Sequence, residues 1–146
     1  MENLTMIKAL EITSQVFLAA QERKTAPLTV AILDRGGALI SLQRQDGSSM
    51  MRPEIAIAKA WGAIALGCSS RKIADDAQTR PCFISSVSTL AQGNLVPVPG
   101  GVLIRDDHAE LLGAVGVSGD ISDTDEEVAI AGILAAKFST DSLLNL

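Results

Sequence analysis

The stretch that decides the fold reads LTVAILDRGGALISLQR and occupies residues 28–44. Two runs rich in apolar and β-branched side chains, 28–33 and 38–44, flank the four residues Asp34-Arg35-Gly36-Gly37. Two consecutive glycines can supply the positive φ angles that a tight hairpin turn requires. The stretch therefore predicts an antiparallel β-hairpin with strands at 28–33 and 38–44.

A second hairpin is predicted near the other end of the chain. Its strands span 102–105 and 110–118, and the polar segment 106–109 joins them. Helical periodicity predicts the remaining elements, at 5–23, at 53–67, near 70–77, near 83–92 and from about residue 123 onward. Ser49 is the expected N-cap of the helix at 53–67, and Ser122 and Asp125 have capping-box-like spacing before the last helix.

The order of these elements is helix, hairpin, helices, hairpin, helix. Two hairpins that bracket helices favour an α+β fold, with a central antiparallel sheet of four or five strands covered by helices. The first and last helices are expected to pack on this sheet. With 146 residues, the chain fits a single domain over 1–146.

Composition excludes several classes of protein. An apolar content of 47% and a net charge of -5 argue against disorder, and a pI near 4.7 argues against nucleic acid or an anionic membrane as partner. The first 27 residues show no signal-peptide pattern, and no apolar run is long enough to span a membrane. Cys68 and Cys82 lack metal-site spacing and fit free thiols in a reducing compartment, so we expect a cytoplasmic protein.

Lys59 is the only charged residue between positions 55 and 66, in a helix that is apolar on nearly every side. One interpretation is structural, because an unpaired buried charge is costly: Lys59 would pair with a carboxylate such as Asp46, or snorkel to the surface. The other interpretation is a pocket lysine that binds an acidic ligand. The apolar character of the helix also predicts that one of its faces meets another subunit.

Four charged residues surround the start of that helix: Arg44, Asp46, Arg52 and Glu54. They could bind the carboxylate of a ligand or form exposed ion pairs with one another. His108 is the only histidine and falls in a predicted hairpin tip, which is typical of a solvated turn residue. With one histidine, the sequence supplies no Ser-His-Asp, Cys-His or multi-histidine set, and no metal site is predicted.

The segment GAVGVSG at 113–119 spaces its glycines by three residues and runs into an acidic helix start. This differs from the dinucleotide-binding and phosphate-loop spacings. It is typical of a strand on which another backbone packs closely. The alternative is a loop whose amides bind an anion at a helix N-terminus.

Five stretches, in order, resemble a known family. They are AILDRGG (31–37), RQDG (44–47), RPEIAIAKA (52–60), LVPVPGGV (95–102) and GAVGVSG (113–119). With them, roughly residues 5–138 resemble the GlcG/HbpS-like proteins (the DUF336 or "haem-degrading" family), which include the C-terminal domain of PduO-type adenosyltransferases. The resemblance implies a profilin-like domain and homo-oligomers up to octamers.

The resemblance also bears on the cofactor. It implies haem-linked or corrinoid-linked roles for some members, and only a genomic association with glycolate use for others. Haem binding in PduO-like members is attributed to a histidine in the N-terminal region, which this chain lacks. On its first helix, Met6 is the only substitute ligand. The cofactor therefore stays open, with haem as the one that the resemblance implies.

Together, these observations predict a small-ligand-binding accessory protein that forms homo-oligomers. The predicted pocket lies near Lys59, with Arg44, Arg52, Gly100 and Gly101 as further binding residues. Its ligand is an acidic small molecule or a tetrapyrrole bearing propionates. The alternative is a cofactor-independent lyase or isomerase that uses Lys59 as a catalytic residue, with Asp46 or Glu54 as acid–base partner. A third is a purely structural oligomerisation module, and the sequence leaves open whether the protein is an enzyme.

Overall fold

The structure is a computed structural model that describes residues 3–141. In these residues the chain forms five helices and four strands. The elements are α1 (Met6–Arg23), β1 (Thr29–Asp34), β2 (Leu39–Arg44), α2 (Arg52–Leu66), α3 (Ser70–Thr79), α4 (Pro81–Leu90), β3 (Gly101–Arg105), β4 (Leu111–Ser118) and α5 (Ser122–Ala135). In the same range, no helix is long and apolar enough to cross a membrane.

Both predicted hairpins form and join into one antiparallel sheet. The strand order is β2-β1-β4-β3, and the central pair β1–β4 connects the two hairpins. This arrangement confirms the predicted α+β fold with a central antiparallel sheet. At the first turn only Gly37 has a positive φ, 84°. The prediction that both glycines adopt one is wrong, because Asp34 Oδ1 accepts the Gly36 amide at 2.9 Å and fixes the turn there.

Helices cover both faces of the sheet. On one face, α1 and α5 pack on the side chains of Val30 and Ile32. On the other face α2 packs on Leu33, which points the opposite way because side chains alternate along a strand. Helices α3 and α4 add a small cluster of their own around Ile73 and Ile84. As expected, the first and last helices pack on the sheet, and α2 lies opposite them.

Glycine lets α2 approach the sheet closely. A Cβ at Gly116 would overlap the carbonyl group of Ala56, and one at Gly101 would overlap the carbonyl group of Lys59. Backbone therefore meets backbone where α2 crosses β3 and β4. This observation supports the structural interpretation of the glycine spacing at 113–119 and places the Lys59 backbone against the first residue of β3.

The predicted caps of α2 and α5 are wrong. Met51, already in a helical conformation, is the N-cap of α2, because the Arg52 amide donates to the Ser49 carbonyl oxygen and turns the chain there. Ile121 is the N-cap of α5, and Ser122 is the first helical residue. The carboxylate of Asp125 does not complete a capping box, because contacts outside the helix occupy it.

Candidate functional site

Lys59 and Asp125 form a buried ion pair. Lys59 Nζ donates to Asp125 Oδ2 at 3.0 Å and to the Val117 carbonyl oxygen at 2.8 Å. The two side chains are only 2% and 1% exposed. The amine thus ties α2 to β4 and to the first turn of α5.

Neighbouring groups hold this pair in place. A side chain at Gly100 would collide with Lys59 Nζ, so the amine occupies space that only glycine leaves open. On the other side, Asp125 Oδ1 accepts the Asp120 amide at 3.0 Å and fixes the approach to α5. Burial lowers the pKa of Lys59, and the adjacent carboxylate opposes that shift. Burial also raises the pKa of Asp125, against the influence of the Lys59 charge.

The sequence-based choice of partner for Lys59 was wrong. Asp46 and Glu54 are both exposed, and neither forms an ion pair with Lys59; Asp125 does, from 66 positions further along the chain. Sequence proximity favoured the first two, whereas the close packing of α2 on the sheet brings α5 to the amine. Because the enclosed amine already donates to two acceptors, the geometry matches the structural interpretation of Lys59.

Arg44 and Arg52 lie at the same end of the sheet. Thr29 is the register partner of both Arg44 and Ser118, and Arg52 Nη1 donates to Ser118 Oγ at 3.1 Å. Arg44 Nη1 donates to the Ser48 carbonyl oxygen at 2.7 Å. Within residues 3–141, neither arginine forms an ion pair with a carboxylate. No described carboxylate therefore neutralises the two guanidinium charges at this end of the sheet.

Gly100 and Gly101 are buried beside Lys59. The Gly101 amide donates to Ser70 Oγ at 2.7 Å, and the Gly100 carbonyl oxygen accepts the Val117 amide at 2.9 Å. These two groups are thus engaged inside the protein. Both glycines give space to the Lys59 side chain and to the backbone of α2.

A groove of about 750 Å³ runs between α1 and the edge strand β2. Its lining combines apolar and polar side chains: Leu10, Ser14, Phe17, Leu18, Ala20, Gln21, Lys24, Thr25, Gln43 and Gln45. A second section of about 550 Å³ shares Phe17, Thr25, Gln43 and Gln45 and adds Pro27, Arg44 and Asp46. We call the two sections together the α1–β2 groove.

Sequence reasoning missed the α1–β2 groove. Leu10 and Phe17 follow the helical spacing of the apolar residues on α1, yet Leu10 is exposed and Phe17 only half-buried. The sequence feature that could have indicated the groove is an excess of apolar residues on α1. Ile7 and Leu18 are apolar but exposed, and they are not among the buried residues of this helix. An amphipathic helix that carries more apolar side chains than it can bury indicates a binding surface.

The α1–β2 groove fits a flat apolar ring better than it fits a metal ion. Phe17 and the neighbouring leucines offer apolar surface, and Lys24 and Arg44 offer positive charge. Among the described residues, its lining contains no histidine, cysteine or methionine. Met6 lies at the start of α1, 60% exposed, and is not part of the lining. Among the described residues, no group of three or more histidine, cysteine, aspartate or glutamate side chains could hold a metal ion.

Comparison with known proteins gives the family. A family model described as "Haem degrading protein HbpS-like" matches residues 4–134. The chain belongs to this HbpS-like family. It is 30% identical over 129 residues to the corrinoid adenosyltransferase PduO of Salmonella typhimurium, and 25% identical over 130 residues to PduO of Citrobacter freundii. These matches cover 86% and 89% of this chain but only 38% of each relative.

Solved structures agree with the fold. A PduOC:heme complex superposes with a TM-score of 0.85 and 25% identity, covering 95% of this chain and 99% of that chain. The DUF336 protein ORFY of Klebsiella pneumoniae gives a TM-score of 0.84 at 24% identity, covering 93% and 92%. HbpS gives 0.78 at 24% identity, covering 92% and 91%. This HbpS-like chain therefore shares the architecture of a domain that has been crystallised with haem.

Proposed function

We propose that this HbpS-like protein binds a small ligand and that its ligand is a tetrapyrrole of the haem class. The observation that carries the proposal is the similarity to the PduOC:heme complex, which extends over nearly the whole of both chains. The two chains therefore share the arrangement of helices and strands. We place the ligand in the α1–β2 groove, where this chain offers apolar surface next to positive charge.

The chemistry of the α1–β2 groove supports this placement. Burying an apolar ring against Phe17 and the leucines of α1 is favourable, and aromatic rings add stacking geometry. Lys24 and Arg44 lie on the groove lining and are exposed, so they can meet the carboxylates of a porphyrin. Arg52, near Arg44 at the end of the sheet, supplies a further positive charge.

We propose a structural role for Lys59, Gly100 and Gly101. They do not line the α1–β2 groove. Lys59 holds β4 through the Val117 carbonyl oxygen, and β4 carries Ser118, to which Arg52 donates. We propose that these three residues fix the end of the sheet from which the two arginines extend.

A lyase or isomerase mechanism gains less support from the geometry. General acid–base catalysis by Lys59 requires an amine within reach of a substrate, whereas this amine is enclosed and already donates to Asp125 and Val117. Asp46 lies on the lining of the groove and Glu54 is exposed, each without an ion pair to Lys59. We therefore favour binding over catalysis.

Self-association is part of the proposal. Apolar side chains are exposed on β2 and around α2: Leu39, Leu42, Met50, Met51 and Leu66. Burying such a surface against a second copy of the chain is favourable, and the family resemblance implies homo-oligomers of up to eight subunits. Light scattering at micromolar concentration should return a multiple of 15.2 kDa. A monomeric mass would contradict self-association without affecting the groove.

Titration with haemin tests the proposal. We expect a saturable change in the Soret band, and Arg44→Ala should weaken binding about three- to ten-fold, the size expected for loss of one partly solvated charge-assisted contact. Arg80→Ala is the matched control, because Arg80 is an exposed arginine on the ring of Phe83 and does not line the groove. No saturable spectral change, or equal weakening by Arg80→Ala, would contradict the proposed site.

A further inference from the structure

We infer that the α1–β2 groove holds its tetrapyrrole through the ring and its carboxylates and not through a metal, so that metal-free porphyrin is as good a ligand as haemin. This inference rests on the proposed function and narrows it. It assigns the ligand class to carboxylate-bearing porphyrins, with or without iron.

The lining of the groove lacks the side chains that ligate haem iron. Those ligands are histidine, cysteine, methionine and tyrosine, and within residues 3–141 none of them lines either section. The whole sequence has one histidine and no tyrosine. Lys24 contributes an ammonium group, which donates hydrogen bonds and accepts none.

Apart from Met6, the iron-ligating residue types present in residues 3–141 lie on elements that do not line the groove. His108 is exposed in the turn between β3 and β4, beside Asp106. Cys68 follows α2, and Cys82 is an exposed residue of α4. Met50 and Met51 precede α2, the helix on the opposite face of the sheet from α1. Within residues 3–141 the remaining such side chain, Met6, is on α1 itself, which makes it the ligand to test.

The groups that do line the groove do not depend on iron. Contact of a porphyrin ring with Phe17, Leu10 and Leu18 buries the same apolar area whether the centre of the ring holds iron or two protons. Lys24 and Arg44 interact with carboxylates at the ring periphery. The free energy of binding should therefore be nearly the same for the two ligands and should fall when the carboxylates are esterified.

The experiment compares three probes on the full chain: haemin, protoporphyrin IX and protoporphyrin IX dimethyl ester. We expect dissociation constants for haemin and protoporphyrin IX within about three-fold of each other, and binding of the ester weaker by about ten-fold or more. Absorbance follows haemin, and porphyrin fluorescence follows the other two. Met6→Ala and His108→Ala should leave the haemin dissociation constant and the haemin spectrum unchanged.

The results distinguish failure of metal-independent binding from failure of tetrapyrrole binding itself. Haemin binding about ten-fold or more tighter than protoporphyrin IX, or its loss in Met6→Ala, would overturn metal-independent binding and leave the proposed function standing. Loss of haemin binding in His108→Ala would overturn metal-independent binding and also the placement of the ligand in the α1–β2 groove, but not tetrapyrrole binding itself. Ester binding as tight as that of the free acid would overturn the role of the carboxylates. Failure of all three probes to bind would overturn the proposed function itself. Circular dichroism of each variant confirms that it is folded.

Discussion

The two faces of the sheet differ in what the sequence reveals about them. On the α2 face, a single lysine in an apolar helix indicates either a binding site or a buried partner, and in the structure it forms a buried ion pair with Asp125. On the α1 face, side chains of ordinary amphipathic character line an open groove. A lone charge in an apolar helix thus indicates a buried partner at least as readily as a ligand. A surplus of apolar residues on a surface helix leads instead to the α1–β2 groove, where we propose that the ligand binds.

The physical reason is desolvation. A buried ammonium group is costly unless an anion and further hydrogen bonds compensate it, as Asp125 and the Val117 carbonyl oxygen do for Lys59. The exposed polar side chains of an open groove have no such requirement, because solvent can reach them. Variants on the α2 face should therefore change stability, and variants in the groove should change binding.

The largest expected effect is that of Lys59→Met. It leaves the Asp125 carboxylate buried without its cation, which should lower the free energy of unfolding by about 3–5 kcal/mol in urea denaturation. The control is Lys72→Met, because Lys72 pairs with Asp76 at 3.2 Å on the exposed surface of α3 and should contribute less than about 0.5 kcal/mol.

The double variant Lys59→Met/Asp125→Asn sharpens this test. Removing both charges should recover part of the lost stability, because no buried charge then remains unpaired, and the side-chain oxygen of the introduced asparagine can still accept the Asp120 amide. An unchanged melting temperature in Lys59→Met together with loss of haemin binding would instead mean that Lys59 is a ligand-binding residue, as the sequence had suggested.

The next effect in size is that of Gly116→Ala. The added Cβ would overlap the Ala56 carbonyl group, and α2 would have to move away from the sheet, at a cost of about 1–3 kcal/mol or more. Gly36→Ala is the matched control, since its Cβ would meet only Asp34 Oδ1, at 3.4 Å. Equal melting temperatures for the two variants would show that α2 does not depend on the close approach.

Local patterns predicted most of the fold. The turn glycines at 34–37 and the helical periodicity of 5–23 depend only on residues that are close in sequence. Both hairpins and the order of the helices could therefore be predicted. The partner of Lys59 could not, because Asp125 lies 66 positions away and is brought beside it by the tertiary packing of α2 and α5 against the sheet. The groove depends on the separation between α1 and β2, a distance that no local pattern contains.

The smallest expected effect is a dependence on pH through Asp120. Its carboxylate accepts the Ala26 amide at 2.8 Å and the Ile121 amide at 2.7 Å, linking the segment before β1 to the start of α5. These hydrogen bonds, that of Ala26 first, hold the pKa of Asp120 below its ordinary value. The folded protein thus binds fewer protons at this group than the unfolded chain does while the pH lies between the two pKa values.

The sign of the effect on stability follows. The contribution of the Asp120 charge is complete above the ordinary aspartate pKa of about 4 and is lost as the pH falls through the lowered value. We therefore expect the stability difference between the wild type and Asp120→Asn to stay constant from about pH 7 to about pH 5 and to shrink below about pH 4 in urea denaturation. A difference for Asp120→Asn that stays constant down to about pH 3 would mean that the two amides do not depend on the charge of Asp120.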